Sequence, residues 1–467
     1  MSQRIEFDYN NMMSENIGTR MGITEERLRS FEKITKKAHD DMTKRRQSKE
    51  LPFYDLPYQT DLTNAIKSAA KEYIAQYDTQ VVIGIGGSAL GPLSLLTALR
   101  NSFWNELPAS KRNGMRTYVT DNIDPDWTKE LLEMIDPKKT LFLVVTKSGS
   151  TSETITTFFI LQKFLIEAVG EAEYRKHLCF VTDPKKSILR EIADKEKIRW
   201  FPIEPLVGGR FSVLTPVGIL PAALMGIDVD KLLAGAAEMD KWASSPELEK
   251  NPAYLFAALQ YLAYQNGAPI SVLMPYSNKL ARLADWYVQL WAESLGKKFT
   301  LDGNIHFQGP TPLKAVGATD QHSQVQLFKE GPYDKVVTFI RVKDFDCELE
   351  IPKLYGEYKG INYLSGHTMN ELIDSEQKAT EAALSKEGRP SITITVPKVD
   401  EFTMGQLIYM FEVATVFSGY LYQLDPLDQP GVEEGKNFTY GLLGRAGYED
   451  KKKEFDGIYK KNKKYML

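Results

Sequence analysis

The stretch Val81–Pro92 reads VVIGIGGSALGP, an apolar run that ends in a cluster of glycines. A strand that stops at glycines and restarts as a helix either turns a tight corner or makes room for an anion at the helix N-terminus. Taken alone, Gly84-Ile85-Gly86-Gly87-Ser88-Ala89 fits G-x-G-x-x-A, the dinucleotide fingerprint. That fingerprint expects an acidic residue about 20 positions further on, closing the second strand. Asp121 closes the next strand candidate but stands much further along. The stretch therefore fixes a strand–turn–helix unit and leaves its ligand open.

Working outward, similar units follow. QVVIGI, MRTYVTD, TLFLVVT, HLCFVTD and IRWFPI are β-branched or aromatic-rich runs of strand length, separated by helical stretches. A second series, PISVLMPYS, KVVTFIRV and SITITVPKV, has helical stretches among and after it, at 278–296, 367–387 and 405–422. Strand–helix alternation predicts parallel sheets covered on both faces. The fold class expected is α/β, with two doubly wound parallel-sheet domains in tandem. The boundaries read as an N-terminal helical segment over 1–55, a first domain over 56–235, a second over 236–430 and a helical tail over 431–467. Thr24 is placed to cap a charged helix running to about Lys49, and a helical stretch near Asp228–Gln265 divides the halves. In the tail the lysines of KKKEFDGIYKKNKKYML are expected late in a helix, where cations suit the negative end of the dipole.

The loop after the third strand candidate narrows the ligand. Between Thr146 and Thr154 six of nine residues carry hydroxyls: Thr146, Ser148, Ser150, Thr151, Ser152 and Thr154. Ser150 and Glu153 fit a capping box. One serine suffices for a cap, and hydroxyls at this density also surround a phosphate together with free N–H groups. Lys147 stands ready to add a charge. GxxxxGK[ST] is absent, which argues against an NTP. Two such loops on one parallel sheet open at one edge, where α/β sheets bind ligands. A compact phosphate monoester fits best.

Bulk properties exclude other classes. The net charge of the 467 residues is −4, so no basic field favours nucleic acid. The two cysteines, Cys179 and Cys347, make no framework and suit a reducing compartment. No signal peptide and no uninterrupted apolar stretch of membrane-spanning length is legible, so a soluble cytoplasmic protein is expected. The five histidines form no metal-binding spacing, and neither metal nor cofactor is expected.

Four further places attract attention. Gly208-Gly209-Arg210 lets a guanidinium, which forks well onto oxyanions, follow a close backbone approach. Asp285, Gln289 and Glu293 recur every fourth residue and share a helix face that meets either water or a cleft. His322 lies in a Gly/Thr/Asp/Gln stretch and suits acid–base work. Lys436 is surrounded by turn residues in DPLDQPGVEEGKN.

Taken together, IGIGGSALGP, TKSGSTSET, GGRFSVLTPVG, QLWAESLGK, DQHSQVQL and DQPGVEEGK closely resemble the glucose-6-phosphate isomerase (phosphoglucose isomerase) family, in its bacterial form. The matches keep the family's order and span residues 83–436. The sequence departs from the family at Leu427, where an aromatic is usual. The resemblance implies tandem sugar-isomerase (SIS) domains and interconversion of glucose 6-phosphate and fructose 6-phosphate. It implies Glu293 as the carboxylate that moves a proton between C1 and C2. His322 and Lys436 would act in ring opening, Arg210 would lie near the enediolate, and Gln289 would touch the ligand. Gly87, Ser88, Thr146, Lys147, Ser148, Ser150 and Thr151 would bind phosphate. A homodimer is implied, in which His322 serves either its own or the neighbouring subunit's site. Rival readings are a sugar-phosphate-sensing regulatory protein, an NAD-dependent dehydrogenase, and an isomerase that also takes mannose 6-phosphate.

Overall fold

Along each central strand, alternate side chains enter different cores, and both cores are apolar. Val81 and Ile83 pack into one cluster with Phe142, Val144 and Phe180, while Val82, Leu143, Val145 and Val181 pack into another. Strands buried on both faces read as continuous apolar runs, which is how they were visible in the sequence. The computed structural model describes residues 4–467. It contains twelve strands among the described residues: β1 (Glu6–Asp8), β2 (Thr79–Ile83), β3 (Arg116–Thr120), β4 (Thr140–Val145), β5 (Leu178–Thr182), β6 (Arg199–Pro202), β7 (Ile270–Pro275), β8 (Lys297–Phe299), β9 (Ile305–Gln308), β10 (Thr311–Lys314), β11 (Lys335–Val342) and β12 (Ser391–Val396).

The first sheet has the order β3-β2-β4-β5-β6 and is parallel throughout. The second has the order β1-β12-β11-β7-β10 and is parallel except for β1. The α/β class and the two parallel sheets are as expected, and all eight strand candidates are strands. Between the sheets lie the helices Val229–Trp242, Pro252–Gln265, Ala281–Leu295 and Glu401–Tyr422. One apolar cluster runs from Val82 and Leu143 through Leu259, Leu290 and Phe411 to Ile340 and Ile394, so the two sheets share a core across this helical layer. No helix among the described residues is long and apolar enough to cross a membrane.

Several expectations need correction. The N-terminal segment is not helical throughout, because β1 pairs antiparallel with β12 and edges the second sheet. Its helix is two helices, Glu25–Arg29 and Glu32–Gln47, although Thr24 does cap the first by accepting from Arg27 N at 3.2 Å. In the tail, Lys451, Lys452 and Lys453 open the helix Glu449–Ile458 instead of closing it. Glu449 and Asp450 precede them in that first turn and supply the charge that the positive dipole end favours. The Ser150–Glu153 capping box does not form, since the helix starts at Ser152 with Thr151 at its N-cap and no side-chain cap bond.

The N-terminal helices are fastened to the central layer by a polar knot. Asp240 accepts from Arg46 at 2.7 and 3.0 Å, from Tyr58 at 2.6 Å and from Tyr409 at 2.6 Å. Burial, with help from the Asp240 carboxylate, pushes the Tyr58 hydroxyl up to about 12. Replacing Asp240 by Ala takes a carboxylate from two hydroxyls and leaves Arg46 with Asp55 as its remaining ion-pair partner at 3.0 Å, and should cost about 3 kcal/mol of stability. Chemical denaturation checks this, and a loss below about 1 kcal/mol would show that water replaces the carboxylate there.

Candidate active site

In the first sheet β2 is flanked by β3 on one side and β4 on the other, so the strand order reverses between β2 and β4. Ligands of open α/β sheets bind outside the carboxyl ends of the strands at such a reversal. The loops there are residues 84–86 after β2 and 146–151 after β4. They are the two loops that the sequence marked as phosphate-binding.

The glycine loop is where three chain segments meet. Gly86 takes a positive φ of 57°, and a Cβ on it would stand 2.9 Å from Gln289 Nε2. A Cβ on Gly87 would stand 2.1 Å from the carbonyl carbon of Gly209. Part of the room that these glycines make is thus filled by the protein, because Gly87 lets the Gly208-Gly209-Arg210 turn rest on the first turn of the helix Gly87–Leu99. Ser88 lies in that turn, partly exposed.

The hydroxyl loop closes on itself. Thr146 Oγ1 and Thr151 Oγ1 are 2.9 Å apart, and Ser150 donates its N–H and its hydroxyl to Ser148 Oγ, both at 3.2 Å. These internal bonds replace the predicted capping box, and the first N–H groups of the helix Ser152–Val169 keep no side-chain cap. Lys147 turns inward and donates to Val207 O at 3.1 Å. Burial pulls its ammonium below its ordinary value, opposed by Asp183 and Glu204.

Across from the loops stands the helix Ala281–Leu295. Leu283, Tyr287 and Leu290 bury one face, as their spacing required. On the other face Gln289 Nε2 donates to Glu293 Oε1 at 3.2 Å, while Gln289 Oε1 is buried without a partner. The face is partly covered at Glu293, whose side chain is 30% exposed and lies 3.7 Å from Arg210 Nη1. Asp285, on the same face, is held by Arg282 at 3.0 Å and Lys314 at 2.8 Å. Trp286 is fully buried and donates its indole N–H to Arg210 O at 3.1 Å.

Arg210 is 1% exposed. Its Nε donates to Ser294 Oγ at 2.6 Å, its Nη2 to Pro426 O at 2.6 Å and Asp428 O at 3.0 Å, and its Nη1 to Gln429 Oε1 at 2.9 Å. Only Nη1 is left to face Glu293. Burial pulls the guanidinium below its ordinary value, and the charges of Glu293, Asp428 and Asp425 hold it up. Lys297, which sequence reasoning did not select, is also nearly buried beside Asp428. Its only signal was its place at the end of the QLWAESLGK motif.

The structure therefore brings together Arg210, Gln289, Glu293, Gly86 and Gly87. It leaves two other predicted residues on the surface. His322 ends a 3-10 turn over Thr319–His322, is exposed, and its side chain has no hydrogen bond or ion pair among the described residues. Lys436 stands on the helix Glu433–Leu442 and not in a turn, with Nζ 2.8 Å from Glu433 Oε1. Among the described residues no three His, Cys, Asp or Glu side chains group as metal ligands.

Two parallel sheets around a helical layer, with a glycine loop and a hydroxyl loop at the carboxyl edge of the first sheet and Gln289 and Glu293 beside the glycine loop, define an α/β protein of the phosphosugar-isomerase class. The same fold occurs in the crystal structure of a glucose-6-phosphate isomerase from Chlamydia trachomatis, with a TM-score of 0.81 and 21% identity, covering 98% of this chain and 92% of that one. The crystal structure of a hypothetical protein from Thermus thermophilus matches with a TM-score of 0.84 and 35% identity, covering 94% of this chain and 100% of that one. The chain belongs to the phosphoglucose isomerase family, whose model matches residues 56–460. A curated relative, the glucose-6-phosphate isomerase of Carboxydothermus hydrogenoformans, is 46% identical over 427 residues, or 91% of this chain and 92% of its own length.

Proposed function

We propose that this enzyme interconverts D-glucose 6-phosphate and D-fructose 6-phosphate by opening the sugar ring and passing one proton between C1 and C2. The observation that carries the reading is Glu293, half-buried, oriented by Gln289 at 3.2 Å and faced by the Arg210 guanidinium at 3.7 Å. A hydrogen on carbon beside a carbonyl is a far weaker acid than a carboxylic acid. Glu293 removes it only if the enediolate is stabilised as it forms. Arg210 is a buried fixed cation at the right place, and one preorganised donor of that kind is worth about 3–4 kcal/mol.

The phosphate reacts nowhere and serves as an anchor. Thr146, Lys147, Ser148, Ser150 and Thr151, with Gly87 and Ser88 opposite, hold it at the carboxyl edge of the first sheet. Remote binding energy then keeps both reacting carbons against one carboxylate. The first N–H groups of the helix Ser152–Val169, which no side chain caps, support this assignment.

Ring opening needs one proton delivered and one removed, and His322 with Lys436 are assigned to it. Because His322 is exposed and unpartnered, it is assigned to the site of a second copy in a homodimer. Exposed Leu301, Ile305 and Phe307 on and beside the β8–β9 hairpin, and Leu354, Tyr355, Tyr358 and Tyr363 after β11, offer apolar surface for that contact. The setting is cytoplasmic.

A coupled assay on fructose 6-phosphate tests the reading. Turnover is expected without added metal and should persist in EDTA. Absence of turnover at any sugar-phosphate concentration would favour a sensing role, and mannose 6-phosphate run in parallel reads specificity at C2.

A further inference from the structure

Lys297 combines features that a surface lysine lacks. Its side chain is 5% exposed. Its ammonium reaches three acceptors: Glu293 O at 2.9 Å, Asp428 O at 2.5 Å and Asp428 Oδ1 at 2.8 Å. An ammonium has three protons, so each is committed. Such a group is a poor proton donor to substrate, because giving up a proton would break a grip. It is well suited to hold things still.

What it holds is the base. Glu293 lies in the last turn of the helix Ala281–Leu295, where main-chain carbonyls lack intrahelical partners. Lys297, four residues on and just past the helix end, takes up the carbonyl of Glu293 itself. From the other side Arg210 takes up the side chain of the next residue, Ser294, at 2.6 Å. Both cations then converge on one acceptor, the main-chain oxygen of Asp428. Asp428 begins the run through Pro430–Val432 to the helix that bears Lys436. The end of the base-bearing helix is thereby pinned at two successive residues to the loop that leads to the assigned ring-opening lysine.

We infer that Lys297 is a positioning residue for proton transfer: by clasping the Glu293 peptide to Asp428 it holds the Glu293 carboxylate in line with both reacting carbons. The inference rests on the isomerase reading above. A carboxylate that must collect a proton from one carbon and return it to the next tolerates little drift. Drift also gives the captured proton time to exchange with water.

The test uses the full-length protein with Lys297→Met, which keeps the stem and removes the charge, and Asp428→Asn, which keeps the main-chain acceptor and removes the ionic arm. For Lys297→Met, kcat should fall about tenfold to a hundredfold, the scale of a misplaced reacting group, with KM within about threefold. In D2O the deuterium carried into product per turnover should rise above wild type. Asp428→Asn should shift both readouts in the same direction by less, and the double variant should be no worse than Lys297→Met alone. A Lys297→Met protein that melts earlier yet keeps wild-type kcat and wild-type deuterium uptake would overturn the proposal. If that variant does not fold, unchanged deuterium uptake in Asp428→Asn overturns it equally. Failure of the isomerase reading is distinct, since the wild type itself would then not turn over.

Discussion

Glu293→Gln is expected to lower kcat by at least about a hundredfold while KM barely moves, the low end for loss of a general base. The substitution is nearly isosteric. A glutamine carbonyl still accepts from Gln289 Nε2, so the bond at 3.2 Å survives and the side chain keeps its place. What disappears is basicity. KM should hold because, on the proposed reading, the loops at the edge of the first sheet anchor the phosphate and the substitution leaves them untouched. Stability should fall slightly, because the buried Arg210 guanidinium loses its carboxylate at 3.7 Å but keeps Ser294, Pro426, Asp428 and Gln429. The same coupled assay reads kcat and KM together. A variant within a few-fold of wild type would move the proton transfer to another group. Asp285 is a poor substitute, since Arg282 and Lys314 already occupy it.

How far the sequence carried can be seen from particular residues. The central strands were legible because burial on two faces leaves Val, Ile, Leu and Phe in unbroken runs, as in Leu141–Val145. β10 was not, because it is an edge strand with Pro312 inside it, and proline is tolerated only where the ladder bond is not needed. β1 is three residues long and alternates too briefly to register. Gln289 and Glu293 were paired correctly by their spacing of four, but whether they faced water or a cleft depended on Gly86 and Arg210, which arrive from elsewhere in the chain. The capping box at Ser150 was a sound local reading overridden by a local competitor, since Ser150 bonds Ser148 instead. Lys297 was passed over because lysines ordinarily keep their charge in water. Its partner Asp428 is 131 residues away, a contact that no pattern within the helix records. The roles of His322 and Lys436 came from resemblance alone.

Arg210→Lys should cost about a hundredfold to a thousandfold in kcat/KM, matching the loss of one preorganised oxyanion donor, although the charge is kept. The reason is geometric. The guanidinium spans Ser294, Gln429, Pro426 and Asp428 with a fixed planar fork, and a single ammonium on a flexible stem reaches at most part of that set. Two of the acceptors it abandons, Ser294 Oγ and Pro426 O, are buried, and each costs about 1–3 kcal/mol if left unmade, so the melting temperature should fall as well. The two losses can be separated. Arg210→Met removes the charge as well as the fork. If the lysine variant recovers a substantial part of the kcat lost by the methionine variant while melting at a similar temperature, positive charge beside the enediolate is what accelerates the reaction. If lysine and methionine are equally slow, the orientation of the 425–429 loop dominates. A lysine variant with wild-type kcat and a lowered melting temperature would reduce Arg210 to a scaffold and leave the negative charge developing on the enediolate without its proposed counterpart.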